Sequence, residues 1–468
     1  MQMLPTTESS GATVSIDPRT TDVASQRSGY DEFRVSPRDP TSIRHADVER
    51  WLRELSDAAA GPLAVERFAE SYQGRPIYRA TIGSGPRRVL LWSQMHGDEP
   101  THTAVLVDLL SYLIGRPHEQ PAAKILEHCT LHLLPMLNPD GAEAVTRFNA
   151  QGIDVNRDSL RLATPEGRAL RRAVDTLRPD FAFNLHNQSA RAAIGDPPRP
   201  VVLAVMAPPL DAAATETSQV RTAKQIAASL VAAVGPRIDG LISRYAAEFM
   251  PNAFGEVVQA SGAATVLVEA GGWPDADPTP MVELQFDALV AALRAIATES
   301  YRDVDPASYD ALPTQNDKPL FDCLIAGGRV FDPSTRTHWR ADVAINHSRG
   351  TRLCVAPRPD GQIVDIGDLT GVGAKVTIDA TGCLILPGKQ PATPGRLELD
   401  DRRDSITRGS AADLLIFDRG GDDPAAALDS RRLKRVIVAG ATVWSDSEAV
   451  HGATTELAAQ STEAADAQ

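Results

Sequence analysis

The chain divides into two regions that differ in their hydrophobic period. In the first, short apolar runs alternate with segments whose apolar residues recur every three or four positions. HADVERWLRELSDAAAG places its large apolar residues on one face, which predicts a helix that ends at Gly61. RRVLLWSQ, TLHLLPML, FAFNLH and ATVLVEAGG predict buried strands. Strands alternating with helices over residues 45–303 predict an α/β domain, in which functional groups collect at the carboxyl ends of the strands.

The second region, residues 319–446, has a different pattern. DCLIAGGRVFD, RADVAIN, KVTIDATGCLIL, ADLLIFD and KRVIVAGATVW are short strand-like runs punctuated by Gly or Asp, and they predict an all-β unit. Residues 304–318 have the composition of a linker. Residues 1–44 and 447–468 lack a sustained period and are rich in small and polar residues, which predicts disorder.

Length and charge limit the number of domains and the kinds of partner that the chain can have. A chain of 468 residues is long enough for two domains. The formal net charge of −14 argues against a nucleic-acid-binding surface. No apolar run reaches the length of a membrane span, and the start lacks the pattern of a signal peptide, so we expect a cytoplasmic protein without a membrane partner. The four cysteines form no CxxC pair, which indicates no cysteine zinc site.

A candidate metal site begins where a predicted strand meets a predicted helix. His96 and Glu99 stand three residues apart in HGDEP, a spacing that brings both onto one side of a first helical turn. A catalytic zinc takes three N or O protein ligands, and His186 at the end of FAFNLH is the predicted third. His102, six residues after His96, should point off the shared face.

Other polar residues have the chemistry that amide hydrolysis requires. Glu269 ends an apolar strand where a core residue would be expected, and a partly buried carboxylate can accept a proton from water. Arg157 offers a planar fork suited to a carboxylate, and Asn156 adds amide donors.

The order of motifs resembles the zinc carboxypeptidase family, especially a bacterial branch of it. QMHGDE is followed by LNPDG, RFNAQGIDVNRD, FNLH and VLVEAGG, over roughly residues 50–303. The resemblance implies an α/β fold with a mixed sheet flanked by helices. It also implies one zinc ion (Zn2+), held by His96, Glu99 and His186.

The resemblance also implies roles around the metal. The glutamate matching Glu269 is the catalytic base, and the arginine matching Arg147 stabilises the oxyanion. The pair matching Asn156 and Arg157 binds the terminal carboxylate of the substrate. The aspartate matching Asp154 orients the ring of the first zinc histidine.

Two residues near the predicted substrate pocket follow from the resemblance less directly. Tyr245 falls where many members have a mobile tyrosine that contacts the substrate. The bacterial branch often follows this tyrosine with acidic residues, whereas this chain has Ala246 and Ala247. By offset from Glu269, the position that sets side-chain preference falls near Phe254.

The second region resembles the small β-sandwich domain of amidohydrolase-superfamily enzymes. In those enzymes a strand ending in LPG leads into a barrel with an HxH metal motif. Here Pro387 and Gly388 are followed by only about twenty residues without HxH, whereas a barrel needs about 250. We therefore expect a β-sandwich without a barrel or a second metal centre.

These features predict a metallocarboxypeptidase that hydrolyses the C-terminal amide bond of peptides through a zinc-activated water. One alternative is a zinc deacylase of N-acyl amino acids, similar to aspartoacylase and succinylglutamate desuccinylase. Another is a binding protein whose catalytic site has decayed. Either enzyme would take a substrate with a free carboxylate.

Overall fold

The computed structural model describes most of the first region and parts of the second. The described residues are 29–59, 63–245, 248–273, 279–332, 337–346, 362–381, 383–387, 406, 412, 414–418, 433–438 and 441–445. The predicted helix end at Gly61, residues 1–28 and the predicted disordered tail at 447–468 lie outside them.

Helices and strands are interspersed through residue 298, which gives the α/β domain that the periodicity predicts. The helices are α1 His45–Ala58, α2 Thr101–Gly115, α3 Ala122–His128, α4 Pro139–Ala144, α5 Pro165–Leu177, α6 Ser218–Val234, α7 Phe254–Ala260, α8 Thr279–Thr298 and α9 Ala307–Asp310. The strands of this region are β1 Ala64–Glu70, β2 Pro76–Ile82, β3 Arg87–Ser93, β4 Cys129–Leu134, β5 Phe181–Asn187, β6 Ala193–Ile194, β7 Arg199–Pro200, β8 Leu203–Met206, β9 Ile242–Arg244 and β10 Ala264–Ala270.

One eight-stranded sheet organises this region, in the order β1-β2-β4-β3-β5-β10-β8-β9. β3 is parallel to β4 and β5, and β5 is parallel to β10. β1, β2 and β8 pair antiparallel to their neighbours toward the centre of the sheet, so the sheet is mixed, as the resemblance implied. The carboxyl ends of β3, β5 and β10 therefore meet at one edge.

Helices cover both faces of the sheet. On one face, apolar residues of α1, α2, α3, α6 and α8 form the larger core with alternate strand residues. On the other, α5 and α7 pack over a smaller core that includes Leu90, Trp92 and Ala182. Because strand side chains alternate between faces, His186 of β5 points to the same side as Ala182. The candidate metal site thus lies on the face of the smaller core.

Residues 29–44 are packed, which corrects the prediction that they are disordered. Tyr30 and Ile43 are buried in the larger core. The buried carboxylate of Asp108 on α2 accepts hydrogen bonds from the Tyr30 hydroxyl at 2.5 Å, and from the Ser36 hydroxyl and backbone N–H. The hydrophobic pattern of this segment gives no sign of these contacts, because they depend on Asp108, more than seventy residues away.

The second region is all β, as the strand pattern predicts, and its strands form two facing sheets, as the resemblance to the amidohydrolase β-sandwich implies. Its strands are β11 Leu320–Ala326, β12 Arg329–Asp332, β13 Thr337–Arg340, β14 Asp342–Asn346, β15 Gln362–Gly367, β16 Gly373–Asp379, β17 Cys383–Pro387, β18 Leu414–Asp418, β19 Leu433–Val438 and β20 Ala441–Ser445. They form a four-stranded sheet, β15-β14-β11-β16, and a six-stranded sheet, β13-β12-β17-β18-β19-β20. Apolar residues of both sheets share one core, so the unit is a β-sandwich.

The segment between the two units is packed as well. Tyr309 of α9 is buried, and its hydroxyl accepts a hydrogen bond from the backbone N–H of Ala207.

Among the described residues, no helix combines the length and apolar character needed to cross a bilayer.

Candidate metal and catalytic site

Three predicted ligands converge in a buried cluster. One ligand atom from each of His96, Glu99 and His186 lies within 4.8 Å of the others. Nδ1 of His96 is 2.8 Å from Oε1 of Glu99, and Nδ1 of His186 is 2.7 Å from Oε2. Two imidazole nitrogens and a carboxylate are a donor set typical of catalytic zinc, so these residues fit the ion that the resemblance implies.

Asp154 and Arg147 surround the first histidine. Oδ1 of Asp154 lies 3.1 Å from Nε2 of His96 and can accept a hydrogen bond from it. This contact favours a proton on Nε2, which leaves Nδ1 available as a ligand. The Arg147 guanidinium donates to Oδ2 of Asp154 at 2.9 Å, and its Nη1 lies 3.2 Å from Nδ1 of His96.

The charges of the cluster follow from burial and from these contacts. Burial disfavours the charged form of Glu99, but the two histidines outweigh it and hold the pKa of Glu99 well below its usual range. Burial also opposes protonation of His96, yet Glu99 and Asp154 together raise its pKa. For His186, burial outweighs the attraction of Glu99, and the nearby His96 and Arg147 lower its pKa further. The cluster therefore offers an ionised carboxylate to a cation.

Glu269 lies beside the cluster because of strand register. It is 6% exposed at the end of β10, and its Cα pairs with that of His186 on parallel β5. Paired residues on adjacent strands project from the same face of a sheet, at a strand spacing of about 4.8 Å. A carboxylate thus stands next to the second histidine, as the prediction requires.

Asn156 and Arg157 form a short 3-10 turn, Val155–Arg157, that packs against the start of α7. The side chain of Asp154 caps this turn by accepting from the backbone N–H of Asn156. Oδ1 of Asn156 accepts from the N–H of Phe254 at 3.0 Å, and Asn252 donates to the carbonyl of Arg157. These contacts turn the amide oxygen of Asn156 toward α7.

Tyr245 and Phe254 lie in apolar surroundings. Tyr245 follows β9 and packs against a small cluster formed by Ile194, Val201 and Ala204. Ala204 is the β8 partner of Glu269, which brings this cluster near the carboxylate. Phe254 is fully buried in the smaller core, and nothing in its contacts indicates a pocket wall. Ala246 and Ala247 lie outside the described residues.

Some residues that shape the site were not predicted. Gln94 adopts a positive φ of 50°, which is uncommon for a residue with a side chain. Its amide donates to the carbonyl of Gly97 and accepts from Thr103, so it fixes the turn that presents His96 and Glu99. Only its polarity after an apolar run could have signalled a role, since backbone conformation is not visible in a composition pattern.

Close backbone packing completes the turn. A Cβ on Gly97 would lie 1.9 Å from the carbonyl carbon of Gly141. Position 97 therefore requires glycine, and the two backbone segments cannot move apart without shifting the turn. Asn138 caps α4 by accepting from the N–H of Gly141, as expected of a turn residue in NPDG. Asn187 also contributes, because its backbone N–H donates to Oε2 of Glu99.

Among the described residues, His102 is not one of the clustered metal ligands, as its spacing predicts. Its Nε2 lies 3.3 Å from Oε1 of Gln285 on α8, and burial lowers its pKa to about 4. His132 on β4 contacts Thr81 and is also away from the cluster.

Known proteins match the part of the chain that carries these ligands. The family model "Zinc carboxypeptidase" matches residues 48–194. Carboxypeptidase 2 of Trichophyton rubrum is 31% identical over 162 residues, which are 32% of this chain and 30% of that protein. The catalytic chain of human carboxypeptidase N is 27% identical over 149 residues, 27% of this chain and 32% of that one. The resemblance to zinc carboxypeptidases is thus confirmed for residues 48–194.

A solved metallo-carboxypeptidase from Burkholderia cenocepacia aligns over 55% of this chain and 69% of its own, with 18% identity and a TM-score of 0.42. The chain spans about a third of the length of the curated relatives named above. All three predicted zinc ligands fall within the matched residues, whereas Tyr245 and Glu269 lie beyond them.

Proposed function

We propose that the protein is a zinc metallocarboxypeptidase that hydrolyses the C-terminal amide bond of peptides. The observation that carries the proposal is the buried cluster of His96, Glu99 and His186 with Glu269 in register beside it. The match of residues 48–194 to the zinc carboxypeptidase family model supports the same reaction class. A zinc ion held by the three ligands would supply Lewis acidity toward the carbonyl and lower the pKa of a coordinated water.

The substrate carboxylate is bound by Arg157 and Asn156. A guanidinium and an amide NH2 can donate several parallel hydrogen bonds to one carboxylate, which fixes the end of the peptide. Both residues are tied to the start of α7 by the contacts of Asn156 with Phe254 and of Asn252 with Arg157. Tyr245 adds an aromatic contact with the substrate.

Glu269 and Arg147 act on the reacting bond. Glu269 accepts a proton from the attacking water and delivers it to the leaving nitrogen. The Arg147 guanidinium donates to the oxygen that gains negative charge, where one well-placed donor contributes about 3–4 kcal/mol. Asp154 orients His96 and Arg147, because one of its oxygens contacts the histidine and the other accepts from the arginine.

The test offers purified protein dipeptides, C-terminally amidated dipeptides and N-acyl amino acids, each with and without a zinc chelator. We expect cleavage of free dipeptides, inhibition by the chelator and recovery on adding zinc. Amidated dipeptides should be poor substrates because they lack the carboxylate. Cleavage of N-acyl amino acids alone would identify a deacylase, and binding without turnover would identify a decayed site.

A substitution of Arg157, one of the two residues proposed to clamp the substrate carboxylate, makes the test more specific. Arg157→Gln should raise KM for a dipeptide at least tenfold, since it removes the charged partner of the carboxylate. Arg161→Gln removes an arginine four residues along the same segment and should leave KM unchanged. A KM that is equal in both variants would argue against the carboxylate clamp.

A further inference from the structure

Residues 188–201 follow β5, which carries His186, and contact the backbone just after Glu269. At the start of this segment, the N–H of Gln188 donates to the carbonyl of Ala270. After Glu269, the N–H groups of Gly271 and Gly272 donate to the carbonyls of Val202 and Val201. The ends of β5 and β10 are therefore joined through this segment.

Glycine is required at both positions after Glu269 because the segment passes so close. A Cβ on Gly271 would lie 1.9 Å from the carbonyl oxygen of Val201, and one on Gly272 would lie 2.0 Å from that of Ala190. Any displacement of residues 188–201 consequently moves the backbone immediately after Glu269.

The β-sandwich holds this segment through a partly buried ion cluster. Asp322 of β11 accepts from Arg191 at 3.0 Å through one oxygen and from Lys375 of β16 at 2.7 Å through the other. The side chain of Asp322 is 11% exposed, so the cluster is shielded from much of the solvent screening that weakens surface pairs. Arg191 is the member contributed by the segment.

Two further contacts join the same parts. Gln315, just before the β-sandwich, donates its amide to Oε1 of Gln188 and to Ser243. The N–H of Asn316 donates to the carbonyl of Ala193 at 2.9 Å. Gly373 at the start of β16 packs so tightly that an added Cβ would lie 2.1 Å from the carbonyl oxygen of Pro198.

We propose that the β-sandwich positions the active site, with Asp322 as a positioning residue that acts through Arg191 and residues 188–201. The inference rests on the proposed function, because its consequence is a change in how Glu269 is aligned with the metal cluster. A displacement of about 1 Å at a catalytic group can reduce the rate up to about a hundredfold. The sandwich is therefore a structural part of the catalytic apparatus rather than an independent module.

The experiment uses the full chain with two changes that do not touch the proposed catalytic residues. Asp322→Asn keeps the shape but removes the charge between Arg191 and Lys375. Gly373→Ala inserts a methyl group against Pro198. The matched controls are Asp368→Asn, an exposed aspartate of the same sandwich, and Gly115→Ala, where a Cβ meets nothing within 4 Å.

Two readouts are measured for each variant. Amide hydrogen exchange should accelerate about tenfold or more in residues 188–201 for both test variants, and in neither control. With a dipeptide, kcat should fall about tenfold, whereas KM and bound zinc stay as in the unaltered protein. Unchanged exchange, or faster exchange with unchanged kcat, would overturn the positioning role.

The exchange readout does not depend on activity. If the unaltered protein hydrolyses no dipeptide, the proposed function fails, and exchange still decides whether the sandwich holds the segment. If the unaltered protein is active and only the test variants lose kcat with faster exchange, both proposals are supported.

Discussion

At the scale of single residues, the proposed function assigns different tasks to three carboxylates. Glu99 lies between two histidines, Asp154 lies between His96 and Arg147, and Glu269 stands in register with His186. A carboxylate that binds a cation, one that orients a ligand and one that moves a proton should respond differently to the loss of charge. The corresponding amide substitutions separate these tasks.

Glu269→Gln should abolish the proton transfer while leaving the metal ligands intact. General base catalysis contributes typically 10²–10⁴-fold, so we expect kcat to fall about a thousandfold. Zinc content, measured by atomic absorption after gel filtration, should equal that of the unaltered protein. Glu127→Gln, on an exposed position of α3, is the control and should retain full activity. Substantial remaining turnover in Glu269→Gln would exclude Glu269 as the base.

Asp154→Asn should weaken zinc binding. The asparagine can present its NH2 group to Nε2 of His96, which removes the preference for a proton there and for a lone pair on Nδ1. Losses of such ligand-orienting partners typically reduce metal affinity 10–100-fold. Competition with a fluorescent chelator measures the affinity. The exposed Asp175→Asn on α5 is the comparison, and equal affinities in the two variants would contradict the role.

At the scale of elements, the packing of residues 29–44 depends on one buried carboxylate. Asp108, in the middle of α2, accepts from Val35, Ser36 and Tyr30, and burial raises the pKa of the tyrosine. The helix that begins just after Glu99 is thereby joined to a segment far away in the sequence.

Asp108→Asn should release this segment. The NH2 group of the variant cannot accept the two hydrogen bonds made to the oxygen that it replaces, so we expect the free energy of unfolding to fall by about 2–4 kcal/mol. Urea denaturation followed by tryptophan fluorescence measures the loss. Asp31→Asn changes an exposed aspartate of the same segment and should shift stability by less than about 0.5 kcal/mol. A stable Asp108→Asn variant would mean that apolar contacts alone hold residues 29–44.

At the scale of the whole molecule, buried neutral histidines make stability depend on pH. Burial, with a smaller contribution from nearby Arg79, lowers the pKa of His132 from 6.5 to about 4. Between these values the unfolded chain binds the proton and the folded chain does not. The contribution of neutral His132 to stability is therefore fully present above pH 6.5 and is lost as the pH falls toward 4.

His132→Gln should remove part of this dependence. A depression from 6.5 to about 4 corresponds to about 3 kcal/mol at 1.36 kcal/mol per unit, so the variant should lose about 2–3 kcal/mol less than the unaltered protein between pH 7 and 4. Urea unfolding at several pH values gives the comparison. His128→Gln, on the more exposed neighbour at the end of α3, should follow the unaltered protein. Parallel curves for both variants would refute the contribution of His132.

Local signals in the sequence determined the alternation of strands and helices, the β-sandwich pattern and the short motifs HGDE, NRD and FNLH. They did so because hydrophobic period, capping residues and ligand spacing act over a few residues along the chain. The N-cap of α5 is an example, since Thr164 accepts from the N–H of Gly167, three residues along the chain. The pairing of His96 with Glu99 is another, because one turn of chain brings them together.

Only the tertiary structure decided the contacts between residues that are far apart in the sequence. The register that sets Glu269 beside His186, the donors that hold Asp108 and the contact of Asp322 with Arg191 each join residues 70 or more positions apart. Such contacts are selected by the packing of the whole fold, where burial makes an unpaired polar group costly. The sequence alone determined which residues could bind a metal and carry the reaction. The three-dimensional packing decided how these residues are aligned, and it brought residues 29–44 and the β-sandwich into contact with the rest of the protein.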